Sequence, residues 1–209
     1  MVRLHTRLIA PVILLLSLTV GVKRADAQTF YPFEATFLGE NTLVPIQDNI
    51  SKVTIIAEST DAPFGLTRLI NNAYAQLDVN TGRVIFRPDA AAFGLQNQPL
   101  ATVTFFGTGN DKLFGTVSGE GQLDFQNFVG TTSGTFNITG GEGRFRGAIG
   151  TFSFFENDTF SSDLTAPIKS RAVIRGSFQT IPEPNQAKAL LSISALLICL
   201  VSYKRVQSV

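Results

Sequence analysis

Apolar and polar residues alternate through the middle of the chain, and this alternation predicts an all-β domain. A period of two residues is typical of a strand with one buried face, and helical periodicity is nearly absent. Glu34–Leu38 and Lys52–Ala57 are predicted as the first two strands. Ala73–Val79 and Arg83–Arg87 are predicted to form a hairpin around Asn80–Gly82, where glycine can take the left-handed conformation of the turn.

The second half of the domain continues as a series of strands punctuated by glycine. A connector from Pro88 to Pro99, with one helical turn around residues 90–92, leads into it. The further predicted strands are Leu100–Phe106, Thr116–Phe125, Thr132–Ile138, Gly150–Phe155 and Arg171–Phe178. Many short strands of this kind predict an antiparallel β-barrel, because closure removes exposed strand edges. A β-sandwich is the alternative.

The segment Thr139–Ala148 has four glycines around one phenylalanine. It resembles the hairpin of the allene oxide cyclase and dirigent families, which are small antiparallel β-barrels of plants with bacterial relatives. The resemblance implies a barrel and, as an alternative function, a small-molecule-binding site with isomerase-like activity. The acidic and amide residues that those families use have no residue-by-residue counterparts here, so no catalytic residue is assigned.

Residues 1–27 have the three parts of a secretory signal peptide. Basic residues precede an apolar run over residues 8–20, and Ala25 and Ala27 occupy the two small-residue positions before Gln28. We therefore expect signal peptidase to cleave before Gln28. The alternative is an uncleaved membrane anchor, but 13 apolar residues are fewer than the ~20 that span a bilayer.

A second targeting pattern follows the domain. Pro182, Glu183 and Pro184 cannot extend a strand, because proline removes ladder hydrogen bonds. Beyond them, an apolar stretch is predicted to form a transmembrane helix over about residues 187–203. Its 15-residue uncharged core is about 22 Å long as a helix. It therefore spans the ~30 Å hydrocarbon layer only with snorkelling lysines or local thinning of the bilayer.

Proline-glutamate-proline, a short apolar helix and a basic end occur here in the order of a known C-terminal signal. Residues 182–209, with the basic pair Lys204 and Arg205, resemble the PEP-CTERM sorting signal of Gram-negative and cyanobacterial exported proteins. The resemblance implies that an exosortase processes this tail, with the basic pair on the cytoplasmic side. The protein is then tethered to the membrane before it reaches the cell surface or the extracellular medium. A plain membrane anchor on a proline-bearing stalk is the alternative.

The domain between these segments, residues 28–181, is mildly acidic. It contains 14 acidic and 10 basic residues, a net charge of −4, so it lacks the basic surface that a nucleic acid partner requires. The single histidine, His5, and the single cysteine, Cys199, both lie outside it. Histidine bases, cysteine nucleophiles, disulfides and His/Cys zinc sites are therefore excluded from the domain. We expect a non-enzymatic domain without a cofactor.

Gly107–Gly115 resembles one calcium-binding nonapeptide of the bacterial β-roll. Asn110 and Asp111 are its candidate ligands. In such rolls calcium lies between successive stacked repeats, and this copy stands alone. A hairpin turn in which glycine and asparagine supply positive φ explains the same residues, so we predict a turn and no metal site.

Two basic residues are candidates for binding an anion. Arg144 and Arg146 flank Phe145, so in a strand both point to the face opposite the aromatic ring. Paired guanidinium groups can hold a carboxylate or an acidic extracellular polysaccharide. The alternative is a solvated face on which they pair with Glu120 or Glu142.

Two pairs of acidic residues are candidates for acid–base chemistry. Glu156 with Asp158, and Glu58 with Asp61, are spaced to share one strand face or one loop. Such pairs hydrolyse glycosidic bonds when they flank the bond in a cleft. The sequence places neither pair in a cleft, so no catalytic residue is predicted.

Overall fold

The structure, a computed structural model, describes residues 29–163 and 166–180, which form nine β-strands and no α-helix. The strands are β1 Thr29–Gln47, β2 Ile50–Glu58, β3 Arg68–Asp78, β4 Arg83–Arg87, β5 Val103–Phe106, β6 Lys112–Asp124, β7 Val129–Glu142, β8 Ala148–Thr159 and β9 Ile168–Thr180. Short 3-10 turns cover Pro63–Gly65, Ala90–Phe93 and Gly143–Phe145. The predicted all-β class is confirmed.

All strand pairings are antiparallel, and they follow one another around a ring of eight strands. β1 pairs with β2, β2 with β3, β3 with β4, and β4 with β6. The series of pairings continues through β7, β8 and β9 back to β1. β5 takes the same position between β3 and β6 as β4 does, but further along these two strands, and it pairs with both. Each strand of the ring therefore has a neighbour on both sides, which removes the exposed edges that favour aggregation.

The pairing of β1 with β9 brings the two ends of the described chain together. Thr29 lies opposite Thr180, and the register continues to Asn41 opposite Ile168. We call the end of the ring that contains Thr29 and Thr180 the terminal end. The opposite end contains the tight β1–β2, β3–β4 and β6–β7 hairpins, and we call it the hairpin end.

Phenylalanine side chains fill the ring. The rings of Phe33 and Phe152 stack with centroids 4.7 Å apart, and Phe105 meets Phe136 and Phe152 edge to face at 5.5 Å. All four side chains are at most 3% exposed. They occupy alternate positions of their strands, which is why the period-two pattern of the sequence coincides with the interior. Edge-to-face and stacked pairs stabilise such a core beyond the burial of their area.

Glycines allow β6 and β7 to approach each other closely. Gly119 on β6 lies opposite Gly134 on β7. A Cβ atom on Gly134 would meet the backbone of both Ser118 and Gly119, and it would lie 2.8 Å from the ring of Phe154. The glycines at this pair thus permit close packing of the two strands, and a β-bulge follows Phe114.

The connector after β4 covers the outer face of β3. Its predicted helical turn is confirmed as the 3-10 turn Ala90–Phe93, which Asp89 caps by accepting a hydrogen bond from the Ala91 amide at 2.9 Å. The buried Tyr74 donates its hydroxyl to the Pro99 carbonyl at 2.7 Å. Regular pairing of β5 begins only at Val103, three residues later than the predicted strand.

The predicted signal peptide, residues 1–27, and the predicted sorting signal, residues 182–209, lie outside the described residues. So does the predicted transmembrane helix over about residues 187–203. Within residues 29–163 and 166–180, no helix has the length and apolar character needed to cross a bilayer.

The packing at the centre of the ring gives a prediction about stability. Phe105→Ala should lower the free energy of unfolding by about 3–5 kcal/mol, because it removes a fully buried ring and leaves a cavity. Urea unfolding followed by circular dichroism measures the change. The matched control is Phe155→Ala on β8, whose side chain is 50% exposed and whose loss should change stability by only about 0.5 kcal/mol. Similar losses in the two variants would contradict the described interior.

Candidate functional site

A cluster of polar side chains lies inside the ring, between the phenylalanine core and the hairpin end. Glu156 and Asp158 occupy successive inward positions of β8, and each is 5% exposed. Asn41 from β1 and Ser170 from β9 complete the cluster, and both are 8% exposed. The spacing of Glu156 and Asp158 had predicted a shared strand face or loop, and the structure places both carboxyl groups on the inner face of one strand.

One amide group holds the two acidic side chains together. Nδ2 of Asn41 donates to Oε1 of Glu156 at 3.1 Å and to Oδ1 of Asp158 at 3.3 Å. Oγ of Ser170 donates to Oδ1 of Asn41 at 3.2 Å. The serine hydroxyl therefore fixes the orientation of the amide, and the amide in turn presents its two N–H groups to the carboxyl groups.

The strand register explains why these side chains meet. Asp158 lies directly opposite Ser170 on β9 and opposite Gly130 on β7. Gly130 has no side chain, so the inner face beside Asp158 has room for its carboxyl group. Thr132, two residues further along β7, lies opposite Glu156 and is also buried.

The cluster retains a proton that an exposed carboxyl group would lose. Burial, the charge of Glu156 and the hydrogen bond to Glu156 together raise the pKa of Asp158 to about 8, with burial making the largest contribution. The hydrogen bond from Asn41 acts in the opposite direction but is the smallest of these effects. At neutral pH Asp158 is therefore protonated, which removes one charge from the apolar interior.

This arrangement contains the parts of an acid–base pair, but both carboxyl groups are buried. A protonated carboxyl group can donate a proton and a neighbouring carboxylate can accept one. Each side chain is only 5% exposed, so the walls of the ring leave little of either carboxyl group open to solvent in the described conformation. A further buried acceptor lies on β3, where Oδ1 of Asn71 has no hydrogen-bond partner among the described residues.

The arginine pair does not lie in a strand, and this corrects the sequence-based expectation. Gly143–Phe145 forms a 3-10 turn, which begins with Gly143 at a φ of +63°. Nε of Arg144 donates to Oδ2 of Asp111 at 2.6 Å, and its backbone amide donates to Oδ1 at 2.8 Å. Nη2 of Arg144 also donates to the Phe64 carbonyl at 2.9 Å. Arg144 therefore ties three loops together at the terminal end of the ring.

Glu120 and Glu142, the acidic residues expected to contact the two arginines, form ion pairs with other residues. Glu120 accepts from Arg83 at 2.8 Å, and Glu142 accepts from Lys112 at 3.0 Å. Both bridges join neighbouring strands on the outer face of the ring. Exposed pairs of this kind add only about 0–1 kcal/mol of stability.

The candidate calcium ligands lie in the turn between β5 and β6. The Gly107 amide donates to the Asp111 carbonyl at 2.8 Å, and the Asp111 amide donates to the Thr108 carbonyl at 3.2 Å. Hydrogen bonds from the backbone and side chain of Arg144 hold the pKa of Asp111 below its usual value. Both carboxylate oxygens of Asp111 are used in this way, and Asn110 is exposed at the tip of the turn.

The second acidic pair does not form a common site. Asp61 lies in the loop after β2, where it accepts hydrogen bonds from Oγ of Ser59 at 2.7 Å and from the Thr36 amide at 3.0 Å. These bonds lower the pKa of Asp61, with the serine making the largest contribution. Glu58 is the exposed last residue of β2. Among the described residues, no group of three or more His, Cys, Asp and Glu side chains is arranged to hold a metal ion.

The residues of the predicted processing sites lie outside the described part of the chain. They are Ala25, Ala27 and Gln28 for signal-peptide cleavage, and Pro182, Glu183, Pro184, Lys204 and Arg205 for sorting. Their roles stay predictions.

The buried acid pair gives a prediction about pH. Asp158 has a folded-state pKa of about 8, above the reference value of 3.8, so the folded state binds its proton more tightly than the unfolded chain does. Stability should therefore fall as pH rises from about 4 to about 8. Asp158→Asn cannot ionise, so it should flatten this dependence in thermal unfolding curves.

The control for this experiment is Asp124→Asn. Asp124 is a half-buried residue at the end of β6 whose pKa is lowered by hydrogen bonds from Asn127 and Gln126. The carboxyl group of Asp124 stays ionised between pH 5 and 8, because this range lies ~1–4 units above the usual pKa of an aspartate. The control should therefore show the same pH dependence as the unaltered protein. An unchanged dependence in Asp158→Asn would show that the carboxyl pair does not retain its proton.

Comparison of the chain with known protein families, with curated proteins and with solved structures finds no match.

Proposed function

We propose that this is an exported, non-enzymatic protein that is sorted through its C-terminal segment to the cell surface or the extracellular matrix. The observation that carries the proposal is the order of features along the chain. A signal-peptide pattern over residues 1–27 precedes the β domain, and a PEP-CTERM-like pattern over residues 182–209 follows it. Two independent targeting patterns at opposite ends of one chain favour export over a cytoplasmic role.

The pairing of β1 with β9 is compatible with this division of the chain. Thr29 and Thr180 lie opposite each other, where paired Cα atoms are ~4.5–5.5 Å apart. Both flanking segments therefore leave the ring at its terminal end, which is compatible with insertion of both segments into the same membrane.

We propose that the ring of strands is a closed β-barrel, rather than a sandwich of two sheets. Two observations support this form. The hydrogen-bonded pairing returns from β9 to β1 without an open edge, and the inward side chains form one phenylalanine-rich core.

The proposed route has two processing steps. Signal peptidase removes the segment before Gln28, and the chain then stays in the membrane through its C-terminal helix, with Lys204 and Arg205 in the cytoplasm. An exosortase next acts near Pro182–Pro184 and gives a protein that is released or attached at the surface. The route requires no cofactor and no nucleic acid partner.

A small-molecule-binding barrel, similar to allene oxide cyclase or dirigent proteins, is the second candidate function. The buried pair Glu156 and Asp158 favours it, because carboxyl groups inside a barrel are a common basis for binding or isomerising a ligand. The packing of Phe33, Phe105 and Phe152 weighs against it, because these rings contact one another and occupy the space that a ligand would need. Native mass spectrometry of the mature protein would reveal a retained ligand.

The proposed route predicts the effect of removing the tail. A chain that lacks residues 182–209 should be released to the periplasm or the medium, because it has lost its membrane helix and its sorting signal. Cell fractionation and immunoblotting measure the distribution. The control lacks only residues 206–209, which follow the basic pair, and should behave as the full chain does.

Two results would contradict the route. Unchanged membrane retention of the chain without residues 182–209 would exclude the tail as the anchor. Peptide mapping of the protein from its own host should give an N-terminus at Gln28, and an intact N-terminus in the cytoplasm would exclude export.

A further inference from the structure

A groove of about 640 Å³ crosses the outer face of the ring at its terminal end. Its floor is formed by β7, β8 and β9, and Phe30 of β1 stands on one side. By register, Asn137 lies opposite Thr151, and Thr151 lies opposite Ser177. These three side chains therefore form a row across three strands, with ~4.8 Å between neighbouring strands.

A second row borders the groove toward the rim. Ile149 lies opposite Gln179, and Gln179 lies opposite Phe30. Phe30 is 64% exposed and Ile149 is 39% exposed, so the two apolar side chains stand as walls on either side of the Gln179 amide. No residue in the described part of the chain covers the exposed apolar surface of these two side chains.

The hydrogen-bonding groups of the groove are not used within the protein. The side chains of Asn137, Thr151, Ser177 and Gln179 make no hydrogen bond with any described residue. By contrast, Ser153 on the same face donates its hydroxyl to the Arg175 carbonyl at 3.2 Å. Two amides and two hydroxyls thus offer both donors and acceptors to a ligand in the groove.

The lining determines which class of ligand fits. None of the residues that line the groove is Asp, Glu, Lys or Arg, so a charged ligand would lose its hydration without gaining an opposite charge. A purely apolar ligand would leave the amides and hydroxyls of the floor without partners, which is also unfavourable. A neutral ligand with many hydroxyl groups satisfies the floor, and its C–H faces can pack against Phe30 and Ile149.

We propose that this groove binds a segment of a neutral polysaccharide. Alternating hydroxyl groups and apolar C–H faces along a sugar chain match the alternation of polar floor and apolar walls. This proposal rests on the proposed function in one respect: the surface location is where the protein would encounter the polysaccharide. The groove itself is formed by described residues and does not depend on how the chain is exported.

The test uses the full chain purified in detergent and an array of neutral and acidic glycans. Binding should be confined to neutral glycans, and titration calorimetry with the best of them gives the affinity. Phe30→Ala should weaken binding at least tenfold by removing an apolar wall. Thr151→Val should also weaken it severalfold, because it removes a hydroxyl from the floor while keeping a residue that favours strands.

The matched control is Phe155→Ala. Phe155 is also an exposed phenylalanine, but it lies on β8 outside the groove, so its loss should leave the affinity unchanged. Circular dichroism confirms that each variant is folded. Binding confined to acidic glycans, absence of binding to any glycan, or equal losses in Phe30→Ala and Phe155→Ala would overturn the proposal. Because binding is measured on purified protein and export by cell fractionation, failure of the groove and failure of the proposed route are distinguishable.

Discussion

The antiparallel pairing of β1 with β9 is the interaction on which the other features of this structure depend. It joins the first and last strands, with Thr29 opposite Thr180 and Asn41 opposite Ile168, and so closes the ring. The same register brings Asn41 within hydrogen-bond distance of Ser170, and it sets Phe30 beside Gln179 at the groove. Core, polar cluster and groove therefore share one structural cause. Bringing distant parts of the chain together costs conformational entropy, so such contacts form only where the burial of apolar side chains offsets that cost.

The interior combines an aromatic core with a polar cluster that is costly to bury. Carboxyl groups removed from water destabilise a fold unless they are hydrogen-bonded or neutralised. Here Asn41 supplies the hydrogen bonds and a retained proton on Asp158 removes one charge. The cluster also favours one strand register. A slip of one residue would turn Asn41 or Glu156 to the outer face, together with the buried apolar residues on the same face of that strand. We interpret the cluster as a structural and pH-sensitive element of the ring.

The outer face of the ring carries the proposed recognition site. The phenylalanine rings of the interior contact one another and the acid pair is buried, so the outward side chains of the strands are the ones most open to solvent. On this face several charged residues pair across strands, as Arg83 does with Glu120 and Arg175 with Glu34. The groove between Phe30 and Ile149 differs, because its lining is uncharged and its amides and hydroxyls are open. Such a surface suits the proposed role of an exported protein that meets polysaccharide.

The sequence by itself determined the all-β class, the approximate position of most strands and the turn chemistry. The reason is local: alternation of apolar residues and the backbone freedom of glycine act over a few residues, as at Gly82, which has a φ of +73° in the predicted turn. The two targeting signals stay predictions, and they were predicted from linear patterns that require no fold. Only the tertiary structure decided which distant residues meet. Arg144 was expected in a strand with Glu120 or Glu142, but a 3-10 turn directs it to Asp111. Likewise, the spacing of Glu156 and Asp158 predicted a shared face, whereas their contact with Asn41 depends on strand register, which no local pattern specifies.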